Sequence, residues 1–154
     1  MSVTITTKIN GQSVSASADA STSLLEFLRD TLEMKGSKLC CNTGECGACT
    51  VIYDGKPINS CVTMAADANG AEITTIEGLA DGDKLHPVQQ AFIDTGAVQC
   101  GYCTPGFIMS VKALFDRTKK PTAQDIEEAI SGNICRCTGD NKIVDAIQLA
   151  AQKL

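Results

Sequence analysis

Tryptophan is absent from this chain of 154 residues, and aromatic residues make up only 4% of it. A core with so few large rings would be thin, particularly if the chain forms two domains of about 75 residues each. Metal centres or a partner surface would then have to supply stability. Histidine occurs once, as His86 before Pro87 at a predicted helix start, where we expect a capping or surface role rather than catalysis.

Long apolar runs and excess basic charge are also missing. No stretch approaches the ~20 apolar residues of a membrane span. The first ten residues, MSVTITTKIN, alternate in polarity and lack the cationic start and apolar run of a secretory signal. Lys and Arg number 13 against 18 Asp and Glu, a net charge of −5, whereas nucleic-acid binding depends on basic side chains. We therefore predict a cytoplasmic protein with no membrane or nucleic-acid partner.

Cysteine is abundant, with nine copies. A cytoplasmic compartment keeps thiols reduced, and an odd number cannot pair completely within one chain. Metal binding is therefore the leading interpretation of these cysteines.

The first group of cysteines lies in CCNTGECGACT at 40–50 and shortly after it. The pattern C-x4-C-x2-C with a distant fourth cysteine is typical of plant-type [2Fe–2S] ferredoxins. Such a loop must bend sharply, and Gly44 and Gly47 allow this because glycine adopts positive φ at little cost. Zinc, which prefers two C-x2-C pairs, and unmetallated core cysteines remain alternatives. Cys40 is left over, and we interpret it as a buried or half-buried thiol. The predicted ligands are Cys41, Cys46, Cys49 and Cys61.

The second group consists of a C-x2-C pair and a C-x-C pair, and its spacing alone does not distinguish zinc from iron–sulfur. Residues two apart share a face in an extended turn but not on a helix, so the C-x-C pair is predicted to lie between helices. Both pairs precede predicted helix starts, where free N–H groups favour anions. The predicted ligands are Cys100, Cys103, Cys135 and Cys137.

The first half of the sequence predicts a small sheet crossed by one helix. NG at 10–11 and DG at 54–55 are turn signals. A capping box from Ser23 to Glu26 starts the helix, and Gly36 lies just past its predicted end. The predicted strands are SVTITTKI at 2–9, QSVSASA at 12–18, TVIY at 50–53 and AEITTIEGL at 71–79.

The second half predicts helices only. Residues 87–95 form a short one, Thr104 and Thr122 cap two more, and the last runs over 141–153. Four helices imply a bundle, and the segment 78–87 is the predicted linker. The whole chain is therefore predicted to be α+β.

Three stretches together resemble a known family: CCNTGECGACTV, QCGYCTPG and GNICRCTG. They are similar to the small iron–sulfur subunit of the molybdenum hydroxylases, the xanthine dehydrogenase and aldehyde oxidoreductase family, which includes bacterial nicotinate dehydrogenase and 4-hydroxybenzoyl-CoA reductase. The resemblance implies a ferredoxin-like β-grasp domain at 1–78 and an all-α four-helix bundle domain at 79–154, each with one [2Fe–2S] cluster. The chain departs from the family at Cys40, where glycine is usual, and at Asp140, where an aromatic residue is common.

The same resemblance implies an electron-transfer subunit that is not catalytic alone. Electrons would pass one at a time from molybdopterin on a large partner subunit, through the second and then the first cysteine group, to FAD on a further subunit. Gln99 matches the family position that touches the molybdopterin, and Cys103 lies on the electron path to it. The implied assembly is a hetero-oligomer, such as a dimer of heterotrimers. A free-standing soluble ferredoxin and a zinc-stapled interaction module remain the alternative functions.

Overall fold

The computed structural model describes every residue from Met1 to Leu154 and has an α+β fold with one mixed sheet. The strand order is β2-β1-β5-β3-β4, and only the β1–β5 pair is parallel. No helix has the length and apolar character that crossing a bilayer requires. The strands are β1 (Ser2–Ile9), β2 (Gln12–Asp19), β3 (Thr50–Tyr53), β4 (Lys56–Asn59) and β5 (Glu72–Thr74). The helices are α1 (Leu24–Glu26), α2 (Pro87–Asp94), α3 (Thr104–Arg117), α4 (Ala123–Ile130) and α5 (Asn141–Ala151).

The β1–β2 hairpin forms as its turn sequence predicts. Asn10 and Gly11 have φ of 50° and 81°, the left-handed geometry that suits a two-residue hairpin turn. Ile5 and Ile9 of β1 are buried while their sequence neighbours Thr4 and Lys8 are exposed. The alternation therefore places one face of β1 against the core.

Helix α1 starts at the predicted capping box, with the Ser23 hydroxyl accepting a hydrogen bond from the Glu26 N–H. It then widens into a π-wound segment at Phe27–Thr31, where the N–H of Leu32 donates to the carbonyl of Phe27 at 3.1 Å. The helical segment ends at Thr31 with Leu32 as its C-cap, so the prediction that Gly36 lies just past the helix end is wrong. Gly36 is instead a close-contact position, because a Cβ there would overlap the side chains of Ile76 and Glu77, shortly after β5.

The last predicted strand, 71–79, is correct only at Glu72–Thr74. The strand stops after Thr74 because the side chain of Asn10 accepts the N–H of Thr75 at 2.9 Å, and Ile76–Gly78 forms a 3-10 turn. The structure adds an unpredicted strand, β4, after the DG turn. Its Pro57 is compatible with a strand because β4 lies at the edge of the sheet.

The second half contains the four predicted helices, with one correction at α3. Thr122 caps α4 as predicted, and its hydroxyl accepts from the N–H of Asp125. Thr104, however, is the first residue of α3, and the N-cap is Cys103. Helices α2, α3, α4 and α5 share one apolar core that includes Phe92, Phe107 and Ile147.

Helix α3 also joins the two halves of the molecule. Its Met109 and Ala113 pack on Ile52 of β3, and all three side chains are buried. The sheet has its own core around Phe27 and Ile73 on the other side. The N-terminus of α3 is thereby held beside the first cysteine loop, which brings the two groups of cysteines close together.

Candidate metal centres

The first cysteine loop lies between α1 and β3 and bends at the two predicted glycines. Gly44 and Gly47 have φ of +81° and +70°, as expected. The bends direct backbone N–H groups toward sulfur, and those of Thr43 and Cys46 each donate to Sγ of Cys41 at 3.4 Å. Hydrogen bonds from Thr43, and then from Cys46, lower the pKa of the Cys41 thiol to about 5.

The other two cysteines of this group come from the sheet. Cys49 directly precedes β3, and Cys61 lies in the 3-10 turn Ser60–Val62 after β4. Both are buried, and together with Leu25 they form a small apolar cluster. Burial, and then the neighbouring thiol of Cys49, raises the pKa of Cys61 to about 12.

Asn59 fastens this site at the end of β4. Its Nδ2 donates to the carbonyl of Gly44 at 2.6 Å, which ties the loop to the sheet. The hydroxyl of Ser60 donates to the carbonyl of Cys49 at 2.7 Å. The antiparallel β3–β4 pairing thus brings Cys61 back to Cys49.

The second group of cysteines lies at two helix N-termini. Cys103 is the N-cap of α3, and the C-x-C pair lies in the turn between α4 and α5, as predicted. Sγ of Cys137 lies 3.5 Å from Sγ of Cys100. Burial, and then the thiol of Cys135, raises the pKa of Cys103 to about 12. The four thiols line one cleft.

Thr138 supplies hydrogen bonds to this second group. Its N–H and hydroxyl both donate to Sγ of Cys135, at 3.4 Å and 3.1 Å. Burial acts to raise the pKa of Cys135, but these donors outweigh it and the pKa is lowered. Asp140 is the N-cap of α5 with a left-handed φ of 67° and no side-chain cap bond.

Cys40 and Gln99 both lie at the surface. The prediction that Cys40 is buried or half-buried is wrong, because its side chain is exposed and lines the cleft of the second group. The bend at Cys40 separates it from Cys41, which points into the first loop. Gln99 is exposed beside Cys100, where a molecule outside this chain could reach it.

The donor chemistry of these sites suits two-iron clusters better than single ions. The thiols approach each other in twos, and a [2Fe–2S] cluster takes two thiolates on each iron. Sγ of Cys100 lies 3.5 Å from Sγ of Cys137. A neighbouring thiol also affects the pKa at three other positions: Cys41 at Cys46, Cys49 at Cys61, and Cys135 at Cys103.

Sequence reasoning missed four polar residues that hold these loops. Thr43 and Thr138 donate to thiols, and Asn59 ties the first loop to the sheet. Asn133 donates to the carbonyl of Gly47, 86 residues away in sequence. Only Thr43 and Thr138 carry a sequence signal, since each comes soon after a cysteine and before a glycine.

Two family models match this chain, one on each half. A 2Fe-2S iron-sulfur cluster binding domain matches residues 7–78, and a [2Fe-2S] binding domain matches residues 75–148. The nicotinate dehydrogenase small FeS subunit of Eubacterium barkeri is 44% identical over 98% of this chain and 96% of its own length. A nicotinate dehydrogenase subunit of Pseudomonas putida is 49% identical over 99% of this chain and 97% of its own length.

Solved structures show the same fold. A chain of quinoline 2-oxidoreductase from Pseudomonas putida 86 superposes with a TM-score of 0.94 at 37% identity, covering 98% of this chain and 94% of that one. The aldehyde oxidoreductase from Desulfovibrio gigas gives a TM-score of 0.92 at 42% identity over 97% of this chain. There the match covers 17% of a longer chain.

The fold and the matching domains define a protein with two [2Fe–2S]-binding domains. More particularly, the chain belongs to the family of iron–sulfur subunits of the molybdenum hydroxylases, which are oxidoreductases.

Proposed function

We propose that this chain is the electron-transfer subunit of a molybdopterin-dependent hydroxylase or dehydrogenase. The observation that carries the proposal is the gathering of four cysteines at each of two neighbouring sites, on a chain of this family. Paired thiolates support a two-iron cluster at each site, and such a cluster takes up and releases one electron at a time.

We assign one cluster to each half of the molecule. The ferredoxin-like β-grasp domain is proposed to span residues 1–78 and the helical bundle domain residues 79–154, which fits the separate apolar cores of the two halves. The first-site ligands are Cys41, Cys46, Cys49 and Cys61. The second-site ligands are Cys100, Cys103, Cys135 and Cys137.

The chain's own contribution is to hold and tune these sites. Hydrogen bonds to the sulfur atoms raise the reduction potential of a cluster because they stabilise its extra negative charge. Thr43 supplies such a bond at the first site, and Thr138 supplies two at the second. Burial of Cys49 and Cys61 keeps water from that side of the first site.

We propose that the second site faces a large molybdopterin-binding subunit, whereas the first faces an FAD-binding subunit. Cys100, Cys137 and Gln99 are exposed at the second site, and apolar Tyr102 and Ile134 around it are 45% and 59% exposed. Exposed apolar residues around a polar site are typical of subunit interfaces. Gln99 would contact the molybdopterin, and electrons would leave that cofactor past Cys103.

The first site offers a second exposed apolar patch for the flavin-bearing partner. Val62, directly after Cys61, is 58% exposed, and Met64 is 39% exposed. The complete assembly is proposed to be a cytoplasmic hetero-oligomer, such as a dimer of heterotrimers. By analogy with the nicotinate, quinoline and aldehyde enzymes named above, its substrate is a heteroaromatic compound or an aldehyde.

Single serine variants, one for each site, test this assignment. The loaded protein is expected to hold about four irons and four acid-labile sulfides per chain, two of each in each [2Fe–2S] cluster. Cys61→Ser should remove the first centre and Cys135→Ser the second, each leaving the other intact. Electron paramagnetic resonance of the dithionite-reduced protein then shows which of two signals disappears.

Three results would contradict the proposal or favour a rival. Zinc without acid-labile sulfide in the wild-type protein would support the interaction module. Two clusters in a chain that purifies without larger subunits from its native source would support the free-standing ferredoxin. Unchanged iron content in both serine variants would overturn the ligand assignment itself.

A further inference from the structure

The two cysteine sites are joined by one hydrogen bond between their backbones. The carbonyl of Cys46 accepts the N–H of Ile134 at 3.0 Å. Cys46 is a proposed ligand of the first site, and Ile134 directly precedes Cys135 of the second. A path of covalent bonds interrupted by this single hydrogen bond therefore connects a thiol of one site to a thiol of the other.

Asn133 holds this contact from both sides. Its Nδ2 donates to the carbonyl of Gly47 at 3.1 Å, and its Oδ1 accepts the hydroxyl of Ser110 at 2.7 Å. Ser110 is a buried residue of α3. The amide thus links the first cysteine loop to the helix that begins at Cys103, while its own backbone leads into Cys135.

The backbones of Gly47, Gly106 and Gly132 pack closely where the two sites meet; we call this place the junction. A Cβ on Gly47 would overlap the carbonyl of Gly132, and one on Gly106 would overlap the carbonyl of Gly47. Thr50 adds two more donors to the carbonyl of Gly47, from its N–H at 3.1 Å and its hydroxyl at 2.7 Å. The loop around Gly47 therefore has a fixed position relative to the second site.

We propose that Asn133 is a positioning residue that holds the Cys46–Ile134 contact and so fixes the separation of the two sites. The inference rests on the proposed function, because it requires a [2Fe–2S] cluster at each site.

Two substitutions of Asn133 separate its donor from its acceptor role. Asn133→Asp keeps the oxygen that accepts from Ser110 but puts a second oxygen against the carbonyl of Gly47. Asn133→Ala removes both bonds. Ser131→Ala is the matched control, because the exposed Ser131 hydroxyl donates only to the carbonyl of Glu128, at the end of α4.

The measurement is made on the loaded full-length chain, reduced with dithionite. Magnetic interaction between two reduced centres splits and broadens their resonance signals, and it weakens steeply as their separation grows. We expect both Asn133 variants to show smaller splitting with unchanged iron and sulfide content, and Ser131→Ala to match the wild type. Amide exchange of the Ile134 segment should rise about fivefold, as expected for the loss of one hydrogen bond.

The outcomes distinguish this inference from the proposed function. If the wild-type protein lacks two reducible centres, the proposed function is contradicted, and the positioning role of Asn133 is contradicted with it. If two centres form, but the signal splitting and the Ile134 amide exchange are the same in both Asn133 variants as in Ser131→Ala, only the positioning role of Asn133 is overturned. If Asn133→Ala fails to fold, Asn133→Asp decides, since it preserves the shape of the side chain.

Discussion

Each proposed site combines a thiol that ionises readily with one that resists ionisation. At the first site the pKa of Cys41 is about 5 and that of Cys61 about 12; at the second, the pKa of Cys135 is lowered and that of Cys103 is about 12. Backbone and hydroxyl donors stabilise the first kind of thiolate, and burial penalises the second. The thiols of Cys61 and Cys103 therefore give up their protons only when a metal replaces them.

His86 is a capping residue, as its position before Pro87 predicts, and it should make stability depend on pH. Its Nδ1 accepts the N–H of Val88 at 3.3 Å, which requires the neutral ring. Burial, and then the charge of Lys112, lowers the pKa of His86, while Asp116 opposes this shift. The unfolded chain therefore takes up a proton near the ordinary pKa of about 6.5, before the folded chain does.

The contribution of the neutral ring is thus complete above about pH 6.5 and is lost as the pH falls toward the lowered pKa. We expect the guanidinium concentration at the unfolding midpoint of the loaded protein to decrease as the pH is lowered from about 7.5 to about 5.5. His86→Ser keeps a helix cap without a titrating group and should show a flatter profile. Parallel profiles for the two proteins would contradict this role for His86.

At the level of elements, α3 is the most constrained, because it touches the sheet, the other helices and the first cysteine loop. Gly106 in its first turn is buried against the carbonyl of Gly47. Gly106→Ala should therefore destabilise the protein by about 1–3 kcal/mol, the usual cost of overpacking. The measurement is the guanidinium concentration at which the loaded protein bleaches.

Gly132→Ala is the control for Gly106→Ala. Gly132 lies at the same junction, but a Cβ there meets nothing within 4 Å and its φ is not positive. The free energy of unfolding of Gly132→Ala should stay within about 0.5 kcal/mol of the wild-type value, as for most surface substitutions. Equal effects of the two substitutions would show that the α3 contact is not the cause.

Local signals predicted most elements, whereas contacts between distant residues did not appear in the sequence pattern. The NG turn, the Ser23 capping box and the Thr122 cap each depend on neighbours within four residues, and all three form. The end of β5 depends on Asn10, 65 residues away. Side-chain patterns within one segment cannot reveal such a partner.

The same distinction applies to the sites. Cysteine spacing indicated that Cys41, Cys46 and Cys49 share one loop, because ligands within a loop must be close in sequence. It did not predict that Cys40 points into the cleft of the second group, or that Asn133 bonds to Gly47. Both depend on how the helical half packs against the first loop.

At the scale of the whole molecule, the two sites differ in exposure. The first has two buried thiols, Cys49 and Cys61, and none that is exposed. The second has two exposed thiols, Cys100 and Cys137, and none that is buried. A chelator or oxygen therefore reaches the second site more directly when no partner covers it.

We expect the second centre to be lost first when the isolated, loaded chain is incubated with a chelator. The two resonance signals can be assigned with Cys61→Ser, which should retain only the second, and their decay can then be followed separately. Adding the molybdopterin-binding subunit should slow the loss of the second centre and leave that of the first little changed, because the proposed interface covers only the exposed thiols. Earlier loss of the first centre would mean that local opening of its loop, rather than static exposure, controls access to iron.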